Sequence, residues 1–246
     1  MMDEWKKQEE QLQGNAHYQE YLKVRSLFTQ ICEVDNPVRN DDYKIQVYLD
    51  TLYRLNHIED NDFMAKLMSY EFDLYFTLPD RPAKIDTLLS HHTLRRIPHA
   101  NEMLEAMQKS RLGMYEVIAR DDTTGIVTFK DVYTKKTIAV TDTHLTPSNG
   151  APLILLTRLI TFEGITFLSN FAMPFASNKK VRNFIRQEKE IFKEGRYDEI
   201  MLDGYNLYRE VGEKLQTFAF NPATNNLEMV DEEEYLSSGI QKKYKI

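Results

Sequence analysis

Cysteine is almost absent from this chain: Cys32 is the only one. One thiol excludes an internal disulfide and any cysteine-rich zinc site. Glycine is sparse, nine in 246 residues. None of the nine builds a Gly-x-x-x-x-Gly-Lys loop or a Gly-x-Gly-x-x-Gly turn, so nucleotide-dependent phosphoryl and hydride transfer lose their usual sequence support. No Gly-x-Ser-x-Gly elbow offers a serine nucleophile. The longest apolar run, APLILLTRLITF, is interrupted by Arg158 and is too short to span a bilayer. The start, MMDEWKKQEEQLQ, is charged and has no apolar core, so no signal peptide is expected. Excess positive charge is missing too. The net charge of −7 opposes general approach to nucleic acid or anionic lipid, although local basic patches still bind either. These absences lead us to expect a soluble cytoplasmic protein with no membrane contact, no metal and no cofactor.

What is present is enough for a core. Hydrophobic residues make up 42% and aromatics 11%, which is not a disordered composition. No repeat and no low-complexity linker divides the chain. Residues 1–14 are polar. From Tyr18 the apolar positions Tyr21, Leu22, Phe28, Ile31 and Cys32 recur mostly at three and four, with one turn broken by Arg25. That spacing predicts an amphipathic helix, stopped at Asn36-Pro37. A second helix is expected over Ile45, Tyr48, Leu49, Leu52 and Leu55. A third, capped at Asp60 or Asn61, carries Phe63, Met64, Leu67, Met68, Leu74 and Tyr75, with Phe72 and Phe76 extending its apolar surface nearly all round. A helix apolar on every side is central in a bundle. Short helices are expected around 85–89 and 101–110, beyond a turn at 78–82.

The period then changes. MYEVIARDD, IVTFKDVYT, TIAVTDTHL, LILLTRLITF and ITFLSNFAM are short runs rich in β-branched and aromatic residues. Turn residues separate them: TTG, KK, TPSNGAP and Glu163-Gly164. The pattern predicts an antiparallel meander or a small barrel of five strands. Helical spacing returns at Lys179 and again at Asp198, and TFAFNPATNNLEMV predicts a closing hairpin. The expected fold is α+β: a helical bundle over 15–112, the sheet over 113–176, C-terminal helices over 178–217, and a hairpin with a basic tail over 218–246.

The stretches YEFDLYFTLPDRPAKIDTLL, EMLEAMQKSRLGMYEVI, GIVTFKDVYTKKTIAV and LILLTRLI together resemble the body of a family of uncharacterised bacterial proteins that often carry a SEC-C metal-binding tail. The resemblance covers roughly residues 63–172, and its motifs are structural, so it implies no settled reaction. The final Lys242-Lys243-Tyr244-Lys245 matches the core of that tail. Every cysteine of the pattern is missing and no histidine lies nearby, so this end cannot fold around zinc.

His91, His92 and His99 are poorly spaced for a metal, since adjacent histidines diverge and Pro98 breaks the segment. With Arg95-Arg96 they form a polar turn able to meet phosphate or an acidic partner. Cys32 sits on an apolar helix face and reads as structural. Asp121-Asp122 precedes a hairpin turn and is expected to accept backbone N–H groups there. Asp131 and Asp142 are expected in cross-strand ion pairs. Lys179, Lys180, Arg182 and Arg186 cluster at a helix start, where positive charge opposes the dipole and suggests an anionic or protein partner.

The sheet carries the stronger candidates. Tyr115, Arg120, Lys130, Tyr133 and Arg158 are aromatic or basic groups on strands or strand ends. Such groups on an exposed face bind single strands in small barrels. Arg158 lies inside an apolar run, so it needs an acidic partner or a solvent-facing position. The expected function is a non-enzymatic interaction module binding a protein or nucleic acid. Two alternatives are an acidic decoy filling a basic nucleic-acid-binding groove of another protein, and an enzyme whose site is assembled from distant residues.

Overall fold

The computed structural model describes residues 12–34, 63–77, 82–142, 145, 153–211, 217–221 and 226–230. The expected second helix and the basic tail lie outside them. The elements in chain order are α1 (Ala16–Glu33), α2 (Phe63–Tyr75), α3 (Lys84–Leu88), a 3-10 turn (Leu94–Arg96) and α4 (Ala100–Lys109). Next come β1 (Arg111–Asp121), β2 (Ile126–Asp131), β3 (Thr137–Thr141), β4 (Leu153–Phe162) and β5 (Ile165–Ala176). The chain continues with α5 (Lys179–Gln187), α6 (Lys189–Glu194) and α7 (Tyr197–Val211), and β6 (Thr217–Asn221) and β7 (Asn226–Val230) form the expected hairpin.

The five strands form one antiparallel sheet in the order β3-β2-β1-β4-β5. Only β1, β2 and β3 follow a meander. β4 returns to the far side of β1, which is the Greek-key arrangement. The sheet curls until β3 and β5 approach each other, yet they share no ladder, so no closed barrel forms. Along alternating strands, β3 and β5 both run with β1 and are therefore parallel to each other, so closure would need a parallel ladder, which is not formed.

Turn chemistry sets the strand boundaries. Glu163 and Gly164 have φ of 49° and 81°, the two positive values a two-residue type I′ hairpin requires. Asp121 accepts from the Thr123 N–H at 2.9 Å, as expected. Asp131 does the same for Tyr133 and Thr134, both at 2.8 Å. Asp131 therefore holds a turn rather than a cross-strand ion pair: the residue facing it across the ladder is Tyr115, and the turn N–H groups lie within reach. β1 begins three residues before the expected Met114, since Leu112 is fully buried and pairs in register with Arg158.

Helices cover the outer face of the sheet in two patches. α1, α3 and α4 pack on Ile160, Phe162, Ile165 and Phe167 at the β4–β5 turn. α2, α5 and α7 pack on Leu112, Met114, Ile154, Leu156, Phe171, Met173 and Phe175. α2 contributes Leu74 to the first patch and Met68 and Phe72 to the second. Its all-round apolarity thus places it between two cores, as a central helix should be. The opposite face is different. Tyr115, Val117, Val127, Phe129, Val140, Leu155, Leu159 and Leu168 form a cluster that all five strands supply and that no helix among the described residues enters. This face is the inside of the curl.

α1 bridges the gap between the unpaired edges. Near its start, the His17 ring nitrogen Nε2 lies 2.8 Å from the Thr141 hydroxyl at the end of β3. One guanidinium nitrogen of Arg25 donates to the Leu168 carbonyl on β5 at 2.6 Å, and the other donates to Asn170 Oδ1 at 2.8 Å. Phe28, fully buried, meets Phe167 edge-on at 5.4 Å. Arg25, which interrupts the apolar spacing of the helix, is the residue that ties the helix to the sheet. Covering a free edge also removes a template for unwanted pairing.

Candidate functional site

At one end of the curl, β1, β3 and β5 begin and β4 ends, and α4 lies across the opening. A cleft of about 360 Å³ lies there. Its floor is apolar, formed by Tyr115, Ile138 and Leu159. Thr161 and Thr166 stand at one side with their hydroxyls 2.9 Å apart. Glu102, Glu105, Ala106 and Lys109 of α4 form the opposite wall, and Arg111 stands at the strand entrance. Lys109 and Glu105 pair at 3.4 Å, one helical turn apart. Barrel mouths with an apolar floor and a few polar groups are common ligand sites. Tyr115 is buried and tilted against Phe129 at 5.9 Å, and burial pushes its phenol pKa up. The ring lies back over Gly113, where any side chain would overlap it.

Behind this mouth, on the helix-covered face, lies a buried ion pair. Arg158, 5% exposed, donates through Nε to Glu71, 1% exposed. Its Nη1 donates to the Ser110 carbonyl at 3.0 Å. The guanidinium stacks 3.7 Å from the centre of the Tyr75 ring, a cation–π contact. The Ser169 hydroxyl donates to the second Glu71 oxygen at 3.3 Å. Burial pushes the Glu71 carboxyl pKa up, and Arg158 and Ser169 draw it back down. Arg158 therefore has the acidic partner its apolar setting demands. Ser110 links the two features: it lines the mouth and holds the guanidinium. Glu71 could have been found in the sequence, as a glutamate inside the apolar stretch YEFDLYF.

The other strand-borne candidates are dispersed. Arg120 pairs with Asp122 at 2.8 Å and donates to the Leu145 carbonyl at 2.7 Å, at the opposite end of β1 from the mouth. Lys130 stands opposite Glu116 in register. Tyr133 sits in the β2–β3 turn, stacked on Phe192 of α6 at 4.4 Å, with its phenol pKa raised by burial. Of the five, only Tyr115 lines the mouth, and Arg158 adjoins it through Ser110. Among the described residues no group of three or more His, Cys, Asp or Glu side chains could hold a metal ion. His91 and His92 do not diverge. Their rings stack at 4.9 Å, because the pair occupies a turn rather than a regular element. Lys180 pairs with Glu210 at 2.9 Å, and Arg186 donates to Asn183 at 2.6 Å. No helix among the described residues is long and apolar enough to cross a membrane.

No curated protein and no solved structure matches the chain. A family model does, over residues 16–218, from the start of α1 into β6. The chain belongs to that family, a family of unknown function designated DUF7986.

Proposed function

We propose that this chain is a non-enzymatic binding module of the cytoplasm and that its partner is a protein, engaged at the mouth of the curled sheet. One observation carries the reading: an apolar floor of Tyr115, Ile138 and Leu159 lies under a rim of both charge signs, Glu102 and Glu105 beside Lys109 and Arg111. An apolar side chain fits that floor, and a polypeptide supplies complements to both signs. A phosphate backbone would meet the two glutamates, and the net charge of −7 adds to that repulsion. The acidic-decoy alternative draws less support. Glu20, Glu105, Glu190, Glu194, Glu199 and Glu210 all lie within ion-pair distance of a cation, so they form no free carboxylate array.

The test is affinity capture from host lysate, with and without nuclease, using the chain and an Ala106→Tyr variant that fills the mouth from the α4 side. The expected result is a protein that survives nuclease and is lost with the variant. Loss of every partner after nuclease, or capture that ignores Ala106→Tyr, would overturn the reading.

A further inference from the structure

Glu188 is a buried carboxylate without a counter-charge among the described residues. It stands at the joint between α5 and α6, where its N–H still reaches the Phe184 carbonyl at 2.9 Å and its own carbonyl accepts from Phe192 at 2.8 Å. The residue is 8% exposed, and its Oε2 has no hydrogen-bond partner among the described residues. Such an orphaned oxygen needs an explanation. Phe192 lies four residues on, along the same helical face. Its ring stacks on Tyr133 at 4.4 Å and meets Tyr197 edge-on at 5.5 Å, and all three rings are half-buried.

α7 faces this corner with Glu199 and Asp203, again four residues apart. After burial, Asp203 and Glu199 are the largest influences raising the Glu188 carboxyl pKa, and Asp203 is itself raised by partial desolvation and by Glu199. Arg196 is the nearby cation, but its guanidinium is committed to Glu194, at 2.9 Å, and to Glu199. Neither Glu188 nor Asp203 has a cation within ion-pair distance among the described residues. The ligands are too few for a metal ion. Two unneutralised carboxylates beside aromatic rings attract organic cations instead.

We propose that Glu188, Asp203, Phe192 and Tyr133 receive the alkylammonium or guanidinium group of a lysine or arginine side chain from a partner protein. Asp203, exposed at the surface, meets the incoming charge first. Glu188 neutralises it below, and the rings of Phe192 and Tyr133 flank its stem. This corner is separate from the mouth of the sheet, so failure at either site leaves the other standing.

The experiment is an NMR titration of the full chain, carrying labelled carboxyl and aromatic carbons, at pH 7.5 and constant chloride. The probes are acetyl-Gly-Lys-Gly-amide, acetyl-Gly-Arg-Gly-amide and butylammonium chloride. The expected result is saturable shifts of the Glu188 carboxyl and the Tyr133 and Phe192 rings with at least one peptide. Affinity should fall at least about tenfold in Glu188→Gln and by a smaller factor in Asp203→Asn. Both variants are near-isosteric, and circular dichroism checks that they fold. An unresponsive Glu188 carboxyl in its protonated state overturns the proposal, because the corner then holds only a proton. Equal binding by Glu188→Gln overturns it too. Butylammonium binding tighter than both peptides would assign the corner to a free amine and overturn the partner-protein assignment.

Discussion

Replacing Arg158 with leucine would leave Glu71 almost fully buried with no cation. Breaking a buried pair from one side costs ~3–5 kcal/mol. We expect Arg158→Leu to lower the unfolding free energy from urea titration by that amount. The double variant Glu71→Leu, Arg158→Leu should recover most of the loss, because an apolar pair of similar volume carries no desolvation cost. A double variant no more stable than the single one would contradict this account of the pair. Cys32 invites a second measurement. Burial pushes its thiol up to about 12, so hardly any thiolate forms at neutral pH. Disulfide reagents should leave the native chain unmodified and react once it is unfolded in urea. Arg158 was legible because a charge in LILLTRLITF has few options. Its ring neighbour Tyr75 was legible only as apolar, and Glu71 only as a charge set among aromatics, without its partner. Side-chain pairing between α2 and β4 depends on their relative placement, which no local spacing encodes.

Helix packing against the sheet offers a test at the level of elements. α7 approaches the sheet at Gly204, where an added Cβ would come 2.6 Å from Leu156 Cδ2. Gly204→Ala is a favourable change for an isolated helix, so a loss of stability would come from crowding. We expect a loss of ~1–3 kcal/mol in thermal or urea unfolding. At the other patch, Arg25→Met should cost ~1–3 kcal/mol by leaving the Leu168 carbonyl without its charged donor. Individual strands and helices were legible because two-residue alternation and three-to-four spacing are local signals. The joint at Glu188 was not, since the spacing of Val181, Phe184, Ile191 and Phe192 runs through it as one helix. Strand order was not legible either. A meander and a Greek key share the same alternation, and the choice depends on the β3–β4 connection.

For the molecule as a whole, Glu188 and Asp203 shape the pH dependence. Both carboxyls are raised above their ordinary values. The native state therefore binds more protons than the unfolded chain from the ordinary carboxylate range, about pH 4, upward. Their contribution to stability is fully present below that range and is lost as pH rises through the raised values. Glu188→Gln should therefore stabilise the chain, relative to the parent, by an amount that grows as pH rises above about 4. Urea titrations across that range measure it, and a constant difference would refute the assignment.

α1 adds a consequence in time. Arg25 and the carbonyl it seeks on β5 are 143 positions apart. A ribosome adding 5–20 residues each second needs roughly 7–30 s to supply that carbonyl. For that interval Phe28 lacks Phe167 and Arg25 lacks its carbonyl, so the segment cannot make its contacts with the sheet. The clasp of the finished sheet is thus synthesised before every strand it closes over, and it cannot be seated until β5 has followed.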